Sequence, residues 1–177
     1  NTEYLEDQIS PDIVINVIGK MAITNKDKND SKIYEEAMLS NYLCPVLLIE
    51  SLVEKIKKTK IKCSIIGISS VAGERGRASN YIYGSAKSGF TEYLSGLRQR
   101  LHGTNISIQT IIPGFVRTKM LKDIKTPNFL TSTPDEVGKV VYNSYISGKE
   151  ITYTKYWKLI MIIIKLIPET IFKRLNL

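Results

Sequence analysis

Cysteine and histidine are nearly missing: 177 residues contain Cys44, Cys63 and His102 and no others of either type. Two cysteines cannot build a disulfide framework, so the fold must rest on hydrophobic burial, and a reducing, cytoplasmic setting is expected. A single histidine excludes a His-ligated zinc constellation, and a Ser-His-Asp triad would have to be built on His102 alone. No metal site is expected. Long apolar runs are missing as well. The longest, Leu159 to Ile164, has six residues against the roughly 18 that cross a bilayer. Neither a disulfide-rich secreted scaffold nor a spanning protein is expected.

What remains is a globular balance of 43% apolar and 24% charged residues, enough for one cored domain and too little for two. Its body is expected over residues 1–155, with 156–177 as a basic, apolar tail of the same domain. Lys and Arg number 25 against 17 Asp and Glu, and four of the eight net positive charges lie in residues 151–177. Nucleic acid is not an expected partner, because there is no Arg-rich helix and no basic stripe interleaved with aromatics. The tail mixes Trp157 and Phe172 with Lys158, Lys165 and Lys173, which allows two readings. It can make peripheral contact with anionic lipid at the inner face of a membrane, or it can cap the core while its lysines snorkel to water.

Patterning along the chain alternates strands with helices. Asp12 to Gly19 is an apolar run closed by glycine, the signature of a strand buried on both faces. From Lys32 to about Lys58 apolar residues recur at helical spacing, interrupted by Pro45, which predicts one long helix with a disturbance. Cys63 to Ser70 predicts a second buried strand, Tyr83 to Leu101 a second long helix, and Ile106 to Ile112 a third strand ended by Pro113-Gly114. Thr133-Pro-Asp-Glu136 is a capping box with proline at the first helical position, opening a helix to about Ser147. Glu150 to Thr154 can form a last short strand. Such alternation predicts an α/β fold with a parallel sheet.

Within that frame, Tyr83-Gly-Ser-Ala-Lys87 sets a phenol and an ammonium four residues apart on one helix face. A free tyrosine, with a pKa of about 10, exchanges protons poorly near neutrality. A neighbouring cation is expected to lower that pKa and so make the phenol a usable proton donor and acceptor. Ser70 lies thirteen residues earlier, at the carboxyl edge of a strand, where α/β sheets place their ligands. Pro113-Gly-Phe-Val-Arg-Thr118 follows the next strand at the same edge. These elements, from about Asp12 to about Ser147, resemble the classical short-chain dehydrogenase/reductase family. The resemblance implies a Rossmann-like doubly wound parallel sheet, NADP or NAD as cofactor, and self-association through the two long helices. It also implies roles: Tyr83 as general acid, Ser70 holding the substrate carbonyl, and Lys87 tuning Tyr83 and binding the nicotinamide ribose. Pro113, Gly114, Val116 and Thr118 would line the nicotinamide pocket. Asn41 matches the fourth member of the family's catalytic set. Its carbonyl would lose its helical partner to Pro45 and hold a water in a proton relay from Lys87.

Two departures accompany the resemblance. Asn16-Val-Ile-Gly19 stands where the family has Asn-Asn-Ala-Gly, which leaves Asn16 and Gly19 to support the cofactor. The glycine-rich turn after the family's first strand, with the residue that selects NAD or NADP, has no counterpart in residues 1–177. The chain is therefore expected to be the carboxyl-terminal part of a reductase, its amino-terminal strands missing. In the family's strand order, 3-2-1-4-5-6-7, its strands would be the fourth to seventh, with Asp12 to Ile18 as an exposed edge. By itself it is expected to be inactive and prone to associate. Ser69 to Tyr81 and the tail look like the branch that reduces a keto-sugar on a polyprenyl phosphate for bacterial cell-envelope synthesis, beside an oxidase partner. Arg75 and Arg77 would meet the phosphate. A reductase of soluble or acyl ketones, and a non-catalytic fragment of the family, are the alternatives.

Overall fold

The computed structural model describes residues 11–21, 31–59, 61–121 and 125–175. In chain order the elements are β1 (Ile13–Asn16), α1 (Ser31–Met38), a π turn (Leu39–Leu43), α2 (Cys44–Lys57), β2 (Cys63–Ile68) and a 3₁₀ turn (Val71–Gly73). Next come α3 (Tyr81–Arg100), β3 (Ile106–Ile112), β4 (Phe115–Val116), β5 (Thr131–Ser132), α4 (Pro134–Ser147), β6 (Ile151–Tyr153), α5 (Trp157–Leu166) and α6 (Glu169–Phe172). The main sheet is parallel throughout, in the order β1-β2-β3-β6. Helices cover both faces: α2 and α3 pack Ile49, Val53, Phe90 and Leu94 on Ile65 and Ile108, while α4 lies on the other, where Gln109 donates to the Ser144 carbonyl. This is the α/β, Rossmann-like arrangement that the alternation of strands and helices predicts.

Several boundaries differ from expectation for physical reasons. β1 is not buried on both faces, since Ile13 is 38% and Ile15 47% exposed. Among the described residues only β2 pairs with it, so it is a sheet edge. The helix expected over 32–58 is broken into three parts by the π turn, in which the Cys44 N–H reaches the Leu39 carbonyl, one residue beyond the α-helical partner. Pro45, lacking an N–H, is the local cause. Ser31–Lys57 is long and apolar enough to cross a membrane by length and composition. Its buried positions Ala37, Asn41, Pro45, Ile49, Val53 and Ile56 nevertheless form one stripe, as in a core helix.

β2 ends at Ile68, two residues before the expected Ser70, and α3 begins at Tyr81, two before Tyr83. The β4–β5 ladder, pairing Phe115 with Thr131 and Val116 with Ser132, has no counterpart in the sequence reading. α4 starts as expected, with the Thr133 hydroxyl accepting from the Glu136 N–H at 3.2 Å and the Glu136 carboxylate accepting from the Thr133 N–H at 2.8 Å.

The tail forms α5 and α6 with Pro168 between them. Trp157 and Met161 pack on Val71 and Ile112 in a second core cluster, so this face of the tail is a cap. Its other face leaves Leu159, Ile162, Ile163 and Leu166 exposed.

Candidate active site

The site begins where β2 ends. Ser69 is buried and committed to packing: its hydroxyl donates to the Lys87 carbonyl at 3.2 Å and pairs with the Thr91 hydroxyl. Ser70 is the half-exposed neighbour that faces the cleft. Its hydroxyl caps the 3₁₀ turn by accepting from the Ala72 N–H at 3.1 Å, and it shares the cleft with the Tyr83 phenol. Tyr83 and Lys87, one helical turn apart on α3, are 6% and 5% exposed. The Lys87 ammonium donates to the Ile68 carbonyl at 3.1 Å and lies 6.0 Å from the centre of the Tyr83 ring.

Asn41 is fully buried in the π turn. Its side chain clasps the backbone of Lys20, taking that N–H at 3.1 Å and giving to that carbonyl at 2.6 Å, and it also donates to the Ala37 carbonyl at 2.8 Å. The clasp brings Gly19 against the lysine. A Cβ on Gly19 would stand 2.8 Å from Asn41 Oδ1 and 3.2 Å from Lys87 Nζ, so this position admits little beyond glycine. Asn41 thus acts on the site through its side chain and Gly19.

The residues expected from sequence converge on one cleft of about 850 Å³. Gly19, Ser70, Tyr83, Lys87, Pro113, Gly114, Val116 and Thr118 all line it. Asn41 stands behind Gly19, and Asn16 is outside the lining, buried with both side-chain polar atoms unpartnered. The floor is apolar, formed by Ile66, Ile68 and the facing side of α4.

Three residues were missed or misplaced by the sequence reading. Trp157, in a tail that allowed both a lipid-facing and a core-capping reading and was not named beside the cleft, is buried against Gly114, donates from its indole N–H to the Leu130 carbonyl at 2.9 Å and meets Phe115 edge-on. Its being the single tryptophan in an otherwise aliphatic helix was the available signal. Asn80 lines the cleft unremarked. Arg75 does not meet the cleft; it is bound to the tail through Glu169 at 2.7 Å.

The electrostatics also differ from expectation. Burial pushes the Tyr83 phenol above its ordinary value, with the Ser70 hydrogen bond working the other way. The expected depression by Lys87 is not seen, because burial draws the ammonium itself down to about 8. A consequence follows for stability. Below pH 8 the folded protein bears the penalty of a buried ammonium, and between pH 8 and 10.5 the unfolded chain keeps a proton that the folded one has released, so folding is favoured as pH rises through that window. Relative to Lys87→Met, the parent should gain on the order of 2–3 kcal/mol between pH 7 and pH 10, measured by urea unfolding of both proteins at the two pH values. A constant difference would mean that Lys87 is not held as a buried ammonium.

Comparison with known proteins agrees with this fold. The family model for short chain dehydrogenases matches residues 6–128. An uncharacterized oxidoreductase of Mycobacterium tuberculosis is 33% identical over 138 residues, covering 77% of this chain and 54% of that protein. Ketoacyl reductase HetN of Nostoc is 28% identical over 144 residues, covering 78% of this chain and 50% of that protein. Among solved structures, a short chain dehydrogenase from Burkholderia cenocepacia in complex with NADP superposes with a TM-score of 0.78 at 17% identity, covering 93% of this chain and 68% of that one. A 4-hydroxyisoleucine dehydrogenase complexed with NADH and succinate gives 0.73 at 19%, covering 87% and 70%. At these identities the structural likeness shows the fold. The chain spans about half the length of the curated relatives it matches. With the family model matching well over half of its residues, the chain belongs to the short chain dehydrogenase family.

Proposed function

We propose that this chain forms the catalytic half of an NAD(P)H-dependent reductase of a keto group. The observation that carries the reading is the convergence of Ser70, Tyr83 and the buried Lys87 ammonium on one apolar cleft, with Tyr83 and Lys87 one helical turn apart on α3. A dinucleotide fits the residues present: Gly19 leaves backbone open beside Lys87, and Asn16 carries an amide without internal partners. Gly19, Lys87 and the Pro113–Thr118 segment would hold it, with the unpartnered amide of Asn16 left for it at the end of β1. When bound, NAD(P)H supplies the hydride. The Ser70 hydroxyl then orients the carbonyl oxygen, and the Tyr83 phenol gives that oxygen its proton. Burial raises the phenol further above neutrality, so at neutral pH it stays in the protonated form that carbonyl reduction consumes. Lys87, held by the Ile68 carbonyl, stands one turn away to restore the proton.

The substrate reading is a keto-sugar on a polyprenyl phosphate, as in decaprenylphosphoryl-2-keto-erythro-pentose reductase, with an oxidase partner supplying the ketone in bacterial cell-envelope synthesis. Apolar cleft walls suit a hydrocarbon carrier. The outer face of α5, with Leu159, Ile163 and Leu166 exposed near Lys158, suits docking at the cytoplasmic face of a membrane. Charge reversal at Lys158 and Lys173 should weaken binding to anionic vesicles by roughly 1 kcal/mol per residue, measured by vesicle sedimentation; unchanged partitioning would leave the tail as a cap only. Self-association through the helices is supported by Leu39, Leu43 and Leu47, exposed along the α1–α2 rod. A second reading, reduction of an acyl ketone, draws on relatives named ketoacyl reductase in Nostoc and 3-oxoacyl-[acyl-carrier-protein] reductase in Homo sapiens. NADPH oxidation by the intact protein with a polyprenyl-phosphoryl keto-sugar and with a 3-oxoacyl thioester separates the two. Oxidation with neither would favour a non-catalytic family member.

A further inference from the structure

Two guanidinium groups lie in the loop between Ser70 and Tyr83, and the fold uses them differently. Arg75 is engaged on every side: it holds Glu169 at 2.7 Å, donates to the Ile167 carbonyl at 3.1 Å, and lies 4.2 Å over the ring of Phe172. Arg77 lines the cleft together with Ser70, Asn80 and Tyr83. Its Nε is buried without a hydrogen-bond partner. Among the described residues its Nη2 reaches only the thioether sulfur of Met161, at 3.6 Å, a weak acceptor. Among the described residues it makes no ion pair.

An arginine cannot shed its charge, so a half-buried guanidinium with a buried Nε and no anion is incompletely compensated in the free protein. Burial works against the charge of Arg77 in the same sense. On the same wall, Asn80 Oδ1 is also buried without a donor. A cation lacking an acceptor and an amide oxygen lacking a donor are complementary to one molecule that carries an oxyanion and a hydroxyl. Arg77 touches α5, whereas Gly19 touches Asn41 and Lys87, so it enters the cleft from a different element than the residues placed at the dinucleotide.

We propose that Arg77 is the anchor of an anion subsite in the cleft, taking a phosphate or carboxylate carried by the carbonyl substrate, with Asn80 accepting from a hydroxyl of the same molecule. A planar guanidinium presents paired N–H groups that such an oxyanion accepts in a fork, which also fixes the orientation of the attached ketone. The word substrate rests on the reductase reading; the anion site does not.

The test uses calorimetric titration of the intact protein with decyl phosphate, decanoate and decanol, which share one hydrocarbon chain. Decyl phosphate or decanoate should bind about 10–100-fold more tightly than decanol, and the tighter of the two names the anion. Arg77→Met should reduce that preference to near one, while Arg77→Lys, which keeps charge but loses the fork, should retain part of it. Equal binding of all three ligands to the parent protein overturns the proposal without recourse to any variant. So does an Arg77→Met protein that keeps the preference but loses NADPH affinity, since the arginine would then serve the cofactor. NADPH oxidation with 9-oxodecanoate, which carries both a ketone and a carboxylate, and with the two ketone classes above, run in parallel, separates the readings: an Arg77-dependent anion preference with turnover of none of them retains the subsite and removes the reductase.

Discussion

Replacing Tyr83 by phenylalanine in the intact protein should lower carbonyl reduction by about 10²–10⁴-fold while leaving NAD(P)H affinity nearly unchanged. The substitution removes one hydroxyl from an α3 ring that is already buried, so the packing of the site is retained. What is lost is the transferable proton. The residual rate would come from positioning of the carbonyl by the Ser70 hydroxyl. Single-turnover rates and NADPH titrations on parent and variant make the measurement. Reduction within about threefold of the parent would remove Tyr83 from the chemistry, since a general acid is worth far more than that.

The second large effect is structural. Trp157→Ala should destabilise the protein by about 3–5 kcal/mol, the range for deleting a large buried aromatic. The indole is 3% exposed, bonds Leu130, packs edge-on against Phe115 with ring centres 5.1 Å apart, and covers the backbone of Gly114. Gly114→Ala attacks the same contact from the other side: its Cβ would lie 1.8 Å from the indole nitrogen, so the ring or the turn must move. Because Gly114 and Phe115 form a wall of the cleft, both variants should also weaken NAD(P)H binding. Urea unfolding and cofactor titration of the two variants check this. A loss under about 1 kcal/mol in Trp157→Ala would mean that α5 is not anchored to the site, since deletions of this kind cost several times more.

What could be read in the sequence was the part carried by short-range pattern. The stripe of α3, the run of β3 and the capping box at Thr133 each announce themselves within a few residues, and the structure keeps all three. The Tyr83–Lys87 spacing and the Pro113-Gly114 turn placed their residues on one cleft for the same reason. What could not be read depends on partners distant in sequence. The β4–β5 ladder needs Phe115 beside Thr131, and nothing local in either dipeptide states it. An amphipathic tail has the same pattern whether its apolar face meets lipid or Val71 and Ile112, so Trp157 was ambiguous until packing decided it. The sign of the Tyr83 shift is likewise a matter of burial, which outweighs the charge four residues away. Pro45 marked the right place in the first long helix, but the π turn that it produces, and the Asn41 clasp on Lys20, are three-dimensional outcomes.

Deuterium transfer is the most direct test of the claim that Ser70, Tyr83 and Lys87 form a carbonyl-reducing site. The intact protein is incubated with NADPH deuterated at the nicotinamide C4 and with either ketone class, and the product alcohol is examined by mass spectrometry. The account predicts one deuterium on the carbinol carbon, formed by the parent and lost in Tyr83→Phe. Labelled product formed equally by parent and Tyr83→Phe, or no labelled product from a parent that binds the NADPH and the ketone, would contradict it.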